Sequence, residues 1–209
     1  EEQKKILQKE KSLVFGHTFE NELRFKINLF YQKGGLAASL RLVPKNVKSL
    51  EDLGLPEEVK KIIDIESGLV IISGPINSGK STTLSAVVDY FNKHKELRIV
   101  TLEKPIEYIY TNKKSIIQQR EVGKDTPSFE EGLDDCVGAS LDTVVVSQIE
   151  NEKEAEKVLD LAQQGYLVLM VMNASSSLGV VLKILSMFEG EEQHRIREIL
   201  AQVLKAIIC

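Results

Sequence analysis

A chain of 209 residues that is 43% hydrophobic can bury a substantial core and hold one large or two small domains. Lysine and arginine number 27 against 31 aspartate and glutamate, and the formal charge of -4 gives no global reason to expect nucleic acid as a partner. Cys136 and Cys209 are too far apart for a disulfide framework or a metal-ligand spacing, the apolar run Tyr166 to Met172 is too short to span a bilayer, and Glu1-Glu2-Gln3-Lys4-Lys5 is no signal peptide, so a cytoplasmic chain without direct membrane insertion is expected.

Residues 1–10 read as the end of an amphipathic helix, with Ile6 and Leu7 as its apolar positions. From Asn21 the pattern alternates, placing Leu23, Phe25, Ile27 and Leu29 on one face and Arg24, Lys26 and Asn28 on the other, as a half-buried strand requires. Lys33-Gly34-Gly35 makes a turn, Leu36 to Val43 forms a second strand and Pro44 stops it, which predicts an antiparallel hairpin. The segment from Pro44 to Leu50 is the predicted linker between two domains. Glu51 to Ile63 then reads as a helix with Leu53, Val59, Ile62 and Ile63 facing inward.

Gly68 to Ser73 is a short apolar run suited to a buried strand, and Leu84 to Phe91 continues as a helix. Between them Gly74-Pro75-Ile76-Asn77-Ser78-Gly79-Lys80-Ser81-Thr82 fits glycine, four free positions, then glycine, lysine and a hydroxyl residue. Backbone N–H groups of such a loop converge on phosphate oxygens, and the following helix turns its positive N-terminus toward the same anion. Lys80 is the candidate for the outer phosphates and Ser81 the candidate ligand of Mg²⁺. Asn77 suits a left-handed backbone position, where asparagine is among the best tolerated side chains.

Further along, apolar strands alternate with helices, the signature of a parallel sheet covered on its faces. Leu97 to Leu102, Thr143 to Ser147 and Tyr166 to Met172 are the predicted strands. Ser128-Phe129-Glu130-Glu131 opens a helix with capping-box spacing, and Glu152 to Gln164 is a charged surface helix ended by Gly165. The tail after Leu178 reads as helical, because Ile196, Leu200, Val203 and Ile207 recur at helical spacing. His17, His94 and His194 are scattered and read as surface or packing residues.

Taken together, these residues resemble the PilT family, the hexameric retraction and twitching-motility ATPases of type IV pili, within the wider group of secretion ATPases. The likeness is carried by Arg24 to Phe30, by Leu50-Glu51-Asp52-Leu53-Gly54-Leu55-Pro56, by Ser78 to Leu84, by Glu103-Lys104-Pro105-Ile106-Glu107-Tyr108 and by Gln118 to Asp125. It implies an α/β fold, a RecA-like P-loop domain at 51–209 preceded by part of a small PAS-like α+β domain at 1–44, with 45–50 as linker. It also implies that the family's carboxy-terminal helical segment is not included after Cys209. ATP or ADP with Mg²⁺ is the implied cofactor. The implied partners are further copies in a hexamer, or a mixed ring with a paralogous ATPase, and an inner-membrane platform protein of the pilus, so that the chain sits at the inner face of the membrane through partners.

Against that family pattern the departures fall at the chemistry. Lys104 stands where an aspartate is expected, Ser147-Gln148 where the family has glycine and a catalytic glutamate, and Glu150 and Asn151 where it has arginine and aspartate. Tyr166 and Asn173 replace two histidines, and Asp134 and Gly138 replace arginines. Gln148 can orient a water but cannot take its proton at neutral pH, and losing a general base costs a factor of ~10² to 10⁴ in rate. Glu103 and Glu107 are the remaining acids that could position a metal or serve as base. Arg24 and Arg41, with Lys26 in place of a family arginine, resemble the basic residues this family directs at a neighbouring subunit's nucleotide. Three functions are therefore expected in order: an ATP-binding PilT-like protein with weak or lost hydrolysis, an active hexameric motor, and an interaction module that does not depend on nucleotide.

Overall fold

The computed structural model describes residues 2–20 and 23–209. Contacts within the chain divide it into two compact units, Glu1–Asn46 together with Lys104–Ile109, and Val47–Glu103 together with Tyr110–Cys209.

The first unit opens with α1 (Glu2–Glu10) and continues as three strands, β1 (Ser12–Phe19), β2 (Leu23–Gln32) and β3 (Gly35–Val43), in spatial order β1-β2-β3 and antiparallel throughout. The predicted hairpin is β2 and β3; Asn21, where the sequence places its beginning, lies outside the described residues. Lys33 and Gly34, at φ 50 and 81, form a two-residue turn of the kind that matches strand twist, and Gly35 already belongs to β3. The hairpin is present as expected and is extended by a strand the sequence did not announce, β1, which pairs with β2 from Ser12↔Phe30 to Phe19↔Leu23. Both faces of β1 carry apolar residues and Gly16 interrupts it, so it lacks the alternation that marked β2. That glycine leaves room for a guanidinium, since a Cβ there would lie 2.6 Å from Arg24 Nη2.

The second unit is a six-stranded parallel sheet between two helical layers. Its strands are β4 (Gly68–Ser73), β5 (Arg98–Glu103), β6 (Ile116–Glu121), β7 (Thr143–Val146), β8 (Leu167–Met172) and β9 (Leu204–Ile208), in spatial order β6-β5-β7-β8-β4-β9. All six residues of β4 and of β8 are buried, which is why both read as unbroken apolar runs. Alternate residues point to opposite sides. Val70 and Ile72 pack with Leu84, Val87 and Phe91 of α3 (Lys80–His94), while Leu69 and Ile71 join a core shared with the helices of the other layer. Those helices are α4 (Phe129–Asp134), α5 (Glu152–Gln163), α6 (Ser177–Leu185) and α7 (Glu191–Val203).

Two predicted elements are corrected. In place of a helix from Glu51 to Ile63 there are turns up to Pro56, then α2 (Glu57–Lys60) and a 3-10 turn at Lys61–Asp64, because Gly54 takes φ 62 and Pro56 stands at the N-cap. The helical tail stops at Val203; Ile207 lies on β9 and pairs with Ile71. The three histidines are exposed: His17 stands edge-on to Phe19 and His94 lies against Tyr90.

Candidate nucleotide site

Because every strand of the large sheet is parallel, the carboxyl ends of β4, β5, β7 and β8 open on one edge, the edge where α/β folds bind ligands. At the end of β4 the chain turns through Gly74 to Gly79 and enters α3 at Lys80. Three positions of this loop have positive φ: Gly74 at 154, Asn77 at 65 and Gly79 at 96. Asn77 thus takes the left-handed conformation expected of it. Gly74 is required for space, since a Cβ would lie 2.4 Å from Ser78 Oγ, whereas Gly79 faces open space and is required for its backbone angle.

No side chain caps α3, whose N-cap is Gly79, so the N–H groups of its first turn are presented to the loop. Lys80 Nζ donates to the Pro75 carbonyl at 2.6 Å across the loop, and burial pushes its pKa below the usual lysine range. Ser81 is exposed and Thr82 half-buried at the same helix start. Loop amides, an uncapped helix N-terminus and an ammonium thus stand together at the end of β4, the combination of groups that suits an anion.

At the end of β5, Glu103 Oε1 accepts from Thr101 Oγ1 at 2.7 Å and from Gln119 Nε2 at 3.1 Å. The end of β7 carries no carboxylate at the two positions after Val146. Ser147 Oγ is buried without a partner among the described residues, and Gln148 Nε2 donates to Glu150 Oε1 at 2.7 Å. Asn151 caps α5 by accepting from the Glu154 N–H at 3.0 Å, so the residue that departs from the family aspartate keeps a structural task an aspartate also performs. Tyr166 OH accepts from the Gly138 N–H at 3.2 Å, and the Asn173 carbonyl accepts from Lys183 Nζ at 3.1 Å. Asp134 ends α4 and pairs with Lys157, while Gly138 lies beyond that helix at φ 74.

The remaining candidates belong to the first unit. Arg24 clasps the excursion Lys104–Ile109: Nε donates to the Ile106 and Glu107 carbonyls at 3.0 and 3.1 Å, Nη2 to Ile106 at 2.5 Å, and Nη1 to Thr18 Oγ1 at 3.1 Å. Glu107 accepts an ion pair from Lys26 at 2.8 Å. Arg41 is exposed on β3, opposite Lys26. The structure therefore gathers Gly74 to Thr82, Glu103 and Gln148 on one sheet edge and places Arg24, Arg41 and Glu107 in the other unit. Sequence reasoning passed over Gln119, although it sits within the polar run Gln118 to Asp125; and it passed over Asn92, fully buried on α3, which donates to the Thr111 carbonyl at 2.8 Å and accepts from the Lys113 N–H at 2.9 Å.

Fold and loop define a RecA-like α/β protein with a P-loop. The family model for the type II/IV secretion system protein matches residues 8–209. The chain belongs to that family and is PilT-like. It is 35% identical over 185 residues to the type IV pilus retractation ATPase PilT of Pseudomonas aeruginosa, covering 88% of this chain and 54% of that protein. It is 34% identical over 206 residues to a twitching motility protein of Neisseria gonorrhoeae, covering 99% of this chain and 55% of that one. Among solved structures, the pilus retraction motor PilT with bound ADP superposes with a TM-score of 0.90 at 34% identity, over 99% of this chain and 60% of the motor. The Legionella pneumophila ATPase DotB shares the fold, with a TM-score of 0.88 at 22% identity over 97% of this chain and 58% of that one. The chain thus spans a little over half the length of these relatives.

Proposed function

We propose that the chain binds adenine nucleotide, ATP or ADP, at Gly74 to Thr82, hydrolyses it slowly or not at all, and acts with a type IV pilus or secretion motor. The observation that carries this proposal is an intact cradle on a sheet edge whose β7 end offers Ser147 and Gln148 in place of an acid. The residues fit the ligand chemically. Gly74 leaves room that a Cβ would fill, α3 presents uncapped N–H groups, and Lys80 supplies a cation that would exchange the Pro75 carbonyl for phosphate oxygens. The PilT motor solved with ADP is the relative whose bound ligand supports the same assignment.

Mg²⁺ would be held by the Ser81 hydroxyl together with the nucleotide, supplying charge neutralisation at the phosphates. Lys104, which stands where the family pattern has an acid and belongs to the first unit, would not help to hold a divalent cation. Gln148 would hydrogen-bond an attacking water without accepting its proton, and Glu103 at the end of β5 is the candidate acid that would take it. Arg24 and Arg41 would act on a neighbouring subunit only within a ring, either a hexamer of this chain or a mixed ring with a paralogous ATPase seated on a platform protein at the inner face of the membrane. Arg24 would first have to release the carbonyls of Ile106 and Glu107.

Steady-state phosphate release from the full-length protein with ATP and Mg²⁺ tests the hydrolytic half of the proposal. Turnover should be at or near background and should rise by about 10² in Gln148→Glu, the lower end of what a general base supplies. Robust turnover by the wild type, unchanged by Gln148→Glu, would instead favour the active motor, with Glu103 as base.

A further inference from the structure

At the end of β5 the chain leaves the large unit for six residues, Lys104–Ile109, and returns at Tyr110. Both ends of this excursion are held by one side chain. Gln119 stands on β6 opposite Thr101 of β5, and its Nε2 donates to Glu103 Oε1 at 3.1 Å while its Oε1 accepts from the Tyr110 N–H at 2.9 Å. We propose that Gln119 is a positioning residue: it fixes the Glu103 carboxylate at the nucleotide edge and clasps the neck of the excursion, so that a displacement of Glu103 is passed to Tyr110. The transmission rests on nucleotide occupying Gly74 to Thr82; the clasp itself does not.

An amide side chain is the chemistry this position needs, because it offers donors on one arm and an acceptor on the other. The donor arm meets a carboxylate and the acceptor arm a backbone N–H, so the side chain has a single satisfactory orientation. Thr101, two residues before Glu103 on the same face of β5, donates to the same carboxylate oxygen at 2.7 Å and limits its swing. Beyond Tyr110 the backbone is pinned again, with the Thr111 carbonyl and the Lys113 N–H both held by Asn92, and the Ile117 N–H donating to Asn112 Oδ1 at 3.0 Å. Inside the excursion, Arg24 and Lys26 hold Ile106 and Glu107. From Glu103 to Lys113 the main chain is fastened at short intervals, which leaves little slack to absorb a shift at either end. A leucine at position 119 would make neither bond. A glutamate would set one carboxylate against another, and the repulsion from Glu103 would drive the side chain off the position from which it accepts the Tyr110 N–H.

Residue-resolved amide hydrogen exchange on the full-length protein tests this with wild type, Gln119→Leu, Gln119→Glu and the double exchange Gln119→Glu with Glu103→Gln. The Tyr110 amide should exchange about tenfold faster in both single variants, with β4 and β8 amides unchanged as a check on folding, and return to within about threefold of wild type in the double exchange, which moves the amide donor to the β5 side. ADP should slow exchange across 103–110 in wild type and in the double exchange but not in the single variants. Unchanged Tyr110 exchange in Gln119→Leu, no recovery in the double exchange, or no response at 103–110 in wild type with ADP bound would each overturn the proposal. Should wild type fail to bind ADP at all, the nucleotide proposal and the transmission fall together, while the four ligand-free proteins still decide the clasp. Should one single variant fail to fold, the other and the double exchange decide it.

Discussion

Gly74 meets two demands at once, a φ of 154 and a Ser78 hydroxyl that would lie 2.4 Å from any Cβ. An alanine there must move Ser78 or open the loop, and strain of about 1–3 kcal/mol corresponds to roughly a fivefold to 150-fold loss in affinity if it falls on the bound loop geometry. Gly74→Ala should therefore weaken binding of a fluorescent ATP analogue by at least about fivefold, read by anisotropy. Near-wild-type affinity would mean that Ser78 yields freely and the tight packing is incidental. At this scale the phosphate loop was the most legible part of the chain, because its residue types answer local demands. The roles of Arg24, Glu107 and Gln119 were not legible, because their partners lie 81 to 83 residues away for the first two and at Glu103 and Tyr110 for the third.

Elements were legible where burial imposed a pattern and illegible where pairing alone made them. β4, β7 and β8 are fully buried and stand out as apolar runs, whereas β6, reading Ile-Ile-Gln-Gln-Arg-Glu, is a polar edge strand held by its ladder to β5. β9 follows α7 with no glycine or proline between them, and the apolar spacing of Ile196, Leu200 and Val203 carries on to Ile207 across the change from helix to strand. Capping signals served better. Ser128 accepts from the Glu131 N–H at 3.1 Å at the predicted start of α4. Asn151 does the same for α5, and Asn151→Ala should lower stability by about 1 kcal/mol in urea unfolding while Asn151→Asp stays within a few tenths. Equal losses in both variants would show that Asn151 is needed for something other than its cap.

For the molecule as a whole, the sheet with a core on each face is a rigid frame that holds the loop, Glu103 and Gln148 on one edge, and the departures at the chemistry leave that frame intact. On the proposed reading, binding would outlast turnover, since binding would draw on backbone groups and a single lysine. Ligand at 100 times its Kd would stabilise the fold by about 2.7 kcal/mol, enough to raise Tm by several degrees in a chain this long. Isothermal titration of ATP and of ADP into the full-length wild type and Lys80→Ala tests the central claim most directly. A saturable site that weakens at least about tenfold on removing the lysine is the predicted result. Equal affinity in the two proteins, or no binding of either nucleotide to wild type, would contradict it.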